Sequence, residues 1–168
     1  MTRYRERLVE RYDKGRYFWE LRSCKYWNDF LTGGVVYPDI AVSNSFAVTS
    51  ESILDCTLFF IPTSSPMFVL GCLNSSVNNF FFPQVCPTIR GGFRRFKSIY
   101  VKQIPIPDPN KSPIHTEQIE TLVAKILDRK QADPAADMSA PEGETQRPLY
   151  QLYALTADEI ALVEAATN

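Results

Sequence analysis

The chain has 168 residues, 45% of them hydrophobic and 22% charged, the make-up of a globular protein long enough to bury a core. Its formal net charge of −1 hides an uneven split: residues 1–107 carry 13 Lys/Arg against 8 Asp/Glu, a net +5, and residues 108–168 carry 5 against 11, a net −6. The second part is thereby excluded as a docking surface for a polyanion, and only the first is placed to attract one.

Behind Met1-Thr2-Arg3 the chain runs into charged residues with no apolar core, so it does not start as a signal peptide, and no run approaches the length of a membrane span. The four cysteines, Cys24, Cys56, Cys72 and Cys86, form no CxxC pair, and His115 is the single histidine. Such a set is a poor zinc site and reads as reduced thiols in a cytoplasmic protein.

In chain order, Tyr4 to Tyr12 has Tyr4, Leu8 and Tyr12 at helical spacing and predicts a short helix ended by Asp13-Lys14-Gly15. Tyr17 to Phe30 is densely aromatic, and most of its rings, Trp19 and Phe30 first, are expected in the core. Tyr26 and Arg22 carry polar tips that can emerge beside a basic surface. Val35 to Ser43 reads as a strand interrupted at Pro38, hence an edge strand or a bulge. Phe46 to Val48 and Cys56 to Ile61 follow as short strands between polar turns. After the PTSSP loop, Met67 to Phe82 carries Phe68, Leu70, Leu73 and Val77 at helical intervals, one buried helix or two.

Pro87 to Pro107 gathers Arg90, Arg94, Arg95, Lys97 and Lys102 with no acidic residue, interleaves Phe93, Phe96 and Tyr100, and sets Gly91-Gly92 at a turn. A backbone bending there presents guanidinium groups to phosphates or base edges, while the plainer reading is an edge hairpin whose charges discourage sheet aggregation. If it is a hairpin, Arg94 and Arg95 point to opposite faces and only one faces a groove. The prolines of IPIP end the compact part at residue 107. Ile114 to Lys130 is the clearest helix, with the stripe Ile119, Leu122, Val123, Ile126 and Leu127 seeking a surface on its own domain or on a partner. Residues 132–148 read as a flexible linker. The tail, 149–168, holds Thr156 and Glu159 at capping-box spacing before a short helix.

These pieces, WELRSCKYWNDF, VVYPDIA, FFIP, VLGCLNSSV, IRGGFRRF, VKQIPIP and YQLYALTADEIALVE in that order, resemble the TaqI-like C-terminal specificity domain, and the stretch from Leu73-Asn74-Ser75 to the long helix is similar to type I restriction specificity subunits. The resemblance implies an α+β fold: a β-rich target-recognition domain with a buried helix over 1–107, an amphipathic helix over 108–131, and a C-terminal helical appendage. It implies a module that reads a short duplex target, directing an adenine-specific DNA methyltransferase, and in fused members an endonuclease, in cis or in trans. S-adenosylmethionine would belong to that partner. The chain itself has no Asn/Asp-Pro-Pro-aromatic run and no Gly-rich cofactor turn, so it is expected to be no enzyme alone.

For DNA contact the first candidates are Arg90, Arg94 and Arg95, which can fork onto guanine or clamp a phosphate, with Lys97 and Lys102 as point charges on the backbone. Arg22, Lys25 and Tyr26 come second, and Ser43 and Asn44, beside the VVYPDIA strand, third. Two other classes compete. Pro38-Asp39 with Glu51 has part of a PD…ExK nuclease pattern, but Ile53 stands at the lysine position. A protein-interaction module of the same fold would use the 114–130 helix and not read DNA.

Overall fold

The computed structural model describes residues 2–50 and 52–167. Its centre is a three-stranded antiparallel sheet in the order β3-β1-β4, formed by β1 (Gly34–Pro38), β3 (Ala47–Thr49) and β4 (Leu58–Pro62). Val35 pairs with Val48 on one side and Ile61 on the other. The strand expected at an edge is therefore the central one. Pro38 is tolerated because β3 stops at the Val36–Ala47 pair, leaving the proline only its β4 partner, Leu58. Past Asp39 the chain forms β2 (Ile40–Ala41), which pairs with β5 (Arg94–Arg95) in a separate two-stranded sheet.

The buried stretch after the PTSSP loop is two helices, α3 (Pro66–Leu73) and α4 (Ser76–Val85). Ser75 breaks them: its hydroxyl donates to the Cys72 carbonyl at 2.7 Å and accepts from Asn78 N at 3.2 Å, capping α4. An aromatic series ties sheet to helix. Phe59 stacks on Tyr37, Tyr37 meets Phe46, Phe46 meets Phe96 edge-on, and Phe96 stacks on Phe82.

Helix outweighs strand, about 52% to 12% of the chain, with small sheets and a C-terminal helical region, an α+β fold. The core does not end at Pro107. Ile104 is buried, and the long helix α6 (Pro113–Ala132) lays Ile119 and Val123 into the same cluster as Phe68 and Leu70. Of the two surfaces its stripe could have met, its own domain is the one it covers. The segment read as a linker is largely a helix, α7 (Ser139–Leu152), with Met138, Thr145, Pro148, Leu149 and Tyr150 buried. Its low apolar content misleads because the apolar residues cluster at one end, where packing against α6 and α4 replaces propensity. The tail helix α8 (Ala157–Thr167) starts with the expected box: Thr156 N donates to Glu159 Oε2 at 2.8 Å.

Before the sheet lie two short helices, α1 (Arg5–Val9) and α2 (Trp27–Thr32), and between them a loop closed by a single bridge from Lys14 to Leu21. Here the aromatic expectation fails. Tyr17, Trp19, Tyr26 and Trp27 are exposed, and Phe30 is half-buried against Phe60. The core had already been filled by phenylalanines from the sheet and α3–α4. Between β5 and α6 lies α5 (Ser98–Val101), a single turn with Val101 buried.

Close packing of α3 on α6 depends on Gly71. A Cβ there would stand 2.7 Å from Ile119 Cγ2 and 3.1 Å from Val123 Cγ2, and both side chains are buried and unable to retreat. Gly71→Ala gains about 1 kcal/mol in helix propensity but overpacks the contact, typically at about 1–3 kcal/mol. A net loss is expected in urea denaturation, and the loss caused by Gly71→Ala should shrink in an Ile119→Ala background, where the clashing Cγ2 is gone.

Candidate nucleic-acid interface

Cys86 to Phe96 builds the basic segment from the core outward. Ile89 N donates to the Phe93 carbonyl at 2.7 Å and Thr88 bridges Arg94, closing a hairpin whose tip is Arg90–Gly92. Gly91 and Gly92 have φ of 82° and 80°, a left-handed pair that side chains disfavour, so this tip needs both glycines. The second arm is β5. Phe96 N donates to the Asp39 carbonyl at 2.7 Å, and the Cys86 thiol donates to the Arg95 carbonyl at 3.2 Å. The hairpin base is thereby fixed to both β2 and the end of α4.

Arg94 and Arg95 diverge as a strand requires. Arg94 is half-buried, its Nη1 donating to the Val42 carbonyl at 3.2 Å, while its buried Nε finds no partner among the described residues. Arg95 is exposed, with Nη2 at 3.9 Å from Asp39 Oδ2, a loose pair open to exchange for another anion. Arg90 at the tip, Lys97 and Lys102 are all exposed. Ser43 and Asn44 join Arg94: together with Val42, Asn79 and Phe82 they line a cleft of about 280 Å³. Asn44 is held there by its amide, which donates to the Leu73 carbonyl at 3.1 Å.

Arg22, Lys25 and Tyr26 are exposed but take no part in lining this cleft. They belong to the aromatic segment, which Phe30 fastens to β4. Sequence reasoning also missed three members of the site: Asn79 on α4, Asp39 opposite Arg95, and the C-terminal end of α8, where Ala166 and Thr167 border the cleft. Only Asp39 carried a local signal, its place before the β2 strand that receives the basic arm.

A larger cavity, about 820 Å³, lies between α3, α6 and α7. Its charged lining groups are the carboxylates Glu142 and Glu164, the wrong sign for a phosphate, and it shares with the basic cleft only Asn79 and Thr167. The glycine pairs are both taken up by the fold. Gly33-Gly34 opens β1, where a Cβ at Gly34 would lie 2.2 Å from the Ile61 carbonyl, and Gly91-Gly92 is spent on the hairpin tip. Asp39 faces Arg95, and Glu51, the second residue of the nuclease pattern, lies outside the described residues. Among those residues no group of three or more His, Cys, Asp or Glu gathers as metal ligands, and no helix is long and apolar enough to cross a membrane.

The thiols divide by burial. Cys72 is pushed up to about 12 by desolvation, and burial also raises Cys86, opposed by the charge of nearby Arg94. Cys24 and Cys56 are exposed. Two thiols are therefore expected to react with a disulfide reagent in the native chain and the other two only on unfolding. Reaction of all four at one rate would contradict the buried positions of Cys72 and Cys86.

A family model described as the TaqI-like C-terminal specificity domain matches residues 2–106. No curated protein matches the chain.

Proposed function

The chain belongs to the TaqI-like C-terminal specificity domain family, the specificity domains of restriction-modification enzymes, and from that membership we propose that it reads a short target in double-stranded DNA. The observation that carries the reading is the 88–95 hairpin. It projects Arg90 at an exposed glycine tip and holds Arg94 beside Ser43 and Asn44 in one polar cleft. A fixed guanidinium next to an amide and a hydroxyl is the equipment for base-edge hydrogen bonds, and the exposed Arg95, Lys97 and Lys102 supply phosphate contacts.

The catalytic partner in this reading is an adenine-specific methyltransferase domain, with or without an endonuclease, joined in cis or acting in trans in the cytoplasm. S-adenosylmethionine belongs to that partner, where it supplies the methyl group. This chain contributes position: hydrogen bonds that fix register on the duplex, from a domain that does no chemistry itself. The burial of Ile119 and Val123 weighs against the alternative of a protein-interaction module built on the 114–130 helix, since those side chains are already covered.

The deciding experiment is selection from a pool of random duplexes across a salt series. Enrichment of one short sequence is the expected result. Binding that falls with salt and enriches nothing would leave a generic polyanion surface, and no binding at low salt would sink the reading.

A further inference from the structure

The segment before the sheet carries a second surface. Residues 3–32 contain no buried residue, although eight aromatic side chains lie between Tyr4 and Phe30. At its centre the 14–21 loop is firmly built: Lys14 bridges Leu21, Gly15 N donates to the Glu20 carbonyl at 3.3 Å, and Tyr17 N donates to the Glu20 carboxylate at 2.9 Å. On it the Tyr17 and Trp19 rings stack, centroids 4.8 Å apart and 2° from parallel, while Phe18 meets Trp19 edge-on at 4.7 Å. Guanidinium groups complete the group: Arg16 lies over Tyr17 and Arg5 over Phe18, at 5.5 and 5.1 Å from the ring centroids.

The sign of the charge selects the occupant. Between Arg3 and Lys25 the chain has eight Lys/Arg against four acidic residues, and among the described residues only Arg11 there forms an ion pair, with Asp13. A docked protein would have to neutralise the remaining cations with carboxylates placed one by one. A phosphodiester strand brings one negative charge per nucleotide together with a flat π-face for each exposed ring. Duplex DNA offers the charges but keeps its base faces stacked.

We propose that the 14–21 loop, with Arg5 and Arg16, is a binding site for single-stranded nucleic acid, unpaired bases stacking on the Tyr17–Trp19 pair and phosphates meeting the guanidinium groups. The site is separate from the basic hairpin and does not depend on duplex reading.

The chain is suited to a direct test, because its two tryptophans, Trp19 and Trp27, 48% and 47% exposed, both lie in this segment. The full chain is titrated with an end-labelled oligothymidine of about 12 nucleotides, following tryptophan emission and label anisotropy. Quenching on binding is expected, with affinity falling on a slope of about 0.7 per neutralised phosphate. Trp19→Ala should weaken binding roughly tenfold or more, in the range of one lost base stack, and Trp19→Phe should keep most of it. Thermal unfolding of both variants should match the parent, since the ring fills no core. In Arg94→Ala/Arg95→Ala any phosphate contact of the hairpin is lost, but the tryptophan quenching and its dependence on Trp19 should persist. An absence of quenching at low salt overturns the proposal and leaves the rings as a contact for a protein. So does equal affinity in Trp19→Ala, or loss of binding confined to the Arg94/Arg95 variant.

Discussion

Phe96→Ala is expected to cost about 3–5 kcal/mol of folding stability, the range for a buried phenylalanine removed from a packed core. Phe96 is 1% exposed, stacks on Phe82 with centroids 4.6 Å apart, and meets Phe46 edge-on at 5.9 Å. It is the residue at which the basic hairpin joins the body of the domain, since its N–H also donates to the Asp39 carbonyl. Apart from the Thr88 bridge within the hairpin and the Cys86 thiol on the Arg95 carbonyl, β5 is paired over only two residues, Ile40 with Arg95 and Ala41 with Arg94, too short to persist without packing beneath it. Truncation therefore opens a cavity between sheet and α4 and frees Arg94 and Arg95 from their set directions at once. Phe93, three residues earlier and 41% exposed at the hairpin tip, is the control. Its replacement by Ala is expected to stay within about 0.5–1 kcal/mol. Urea denaturation of the two variants measures the difference, and similar losses would show that Phe96 is not the anchor.

The same pair of phenylalanines shows what the sequence made legible. The basic run, the glycine turn and the opposite faces of Arg94 and Arg95 are all local properties, and the hairpin follows from them. That Phe96 rather than Phe93 is the buried ring is not local, because it depends on Phe82 and Phe46 arriving from elsewhere. Long-range competition for the core also explains the N-terminal segment. Trp19 has the intrinsic tendency to be buried, but Tyr37, Phe46, Phe68, Phe82 and Phe96 already fill the space between sheet and helices. Ser43 and Asn44 lie about fifty residues from Arg94 in the chain, and only the pairing of β2 with β5 brings them to one cleft. The 114–130 helix was legible because its stripe is long and regular. Helix α7 was not, for the apolar part of its pattern is one short cluster, Pro148-Leu149-Tyr150, behind residues that favour a loop.

Replacing Arg94 and Arg95 one at a time is expected to separate target reading from generic attraction. Base recognition requires a guanidinium whose plane is held before DNA arrives, and Arg94 meets that requirement: it is half-buried, its Nη1 is fixed on the Val42 carbonyl, and Ser43 and Asn44 stand beside it. Arg95 is exposed and holds Asp39 only at 3.9 Å, so it can turn to a phosphate. Arg94→Ala should therefore weaken the selected sequence by about 1–3 kcal/mol, or roughly 5- to 150-fold, while leaving random duplex nearly unaffected. Arg94→Lys should behave in the same way, because the charge is kept and the fork is lost. Arg95→Ala should weaken selected and random duplexes alike and lower the salt slope by about 0.9 for the one phosphate contact removed. The two effects should nearly add in the double variant, since the side chains point to opposite faces of β5 and share no partner. Relaxed sequence preference in Arg95→Ala with an unchanged preference in Arg94→Ala would reverse the assignment. It would place the DNA on the Asp39 side of the hairpin, away from the Ser43–Asn44 cleft.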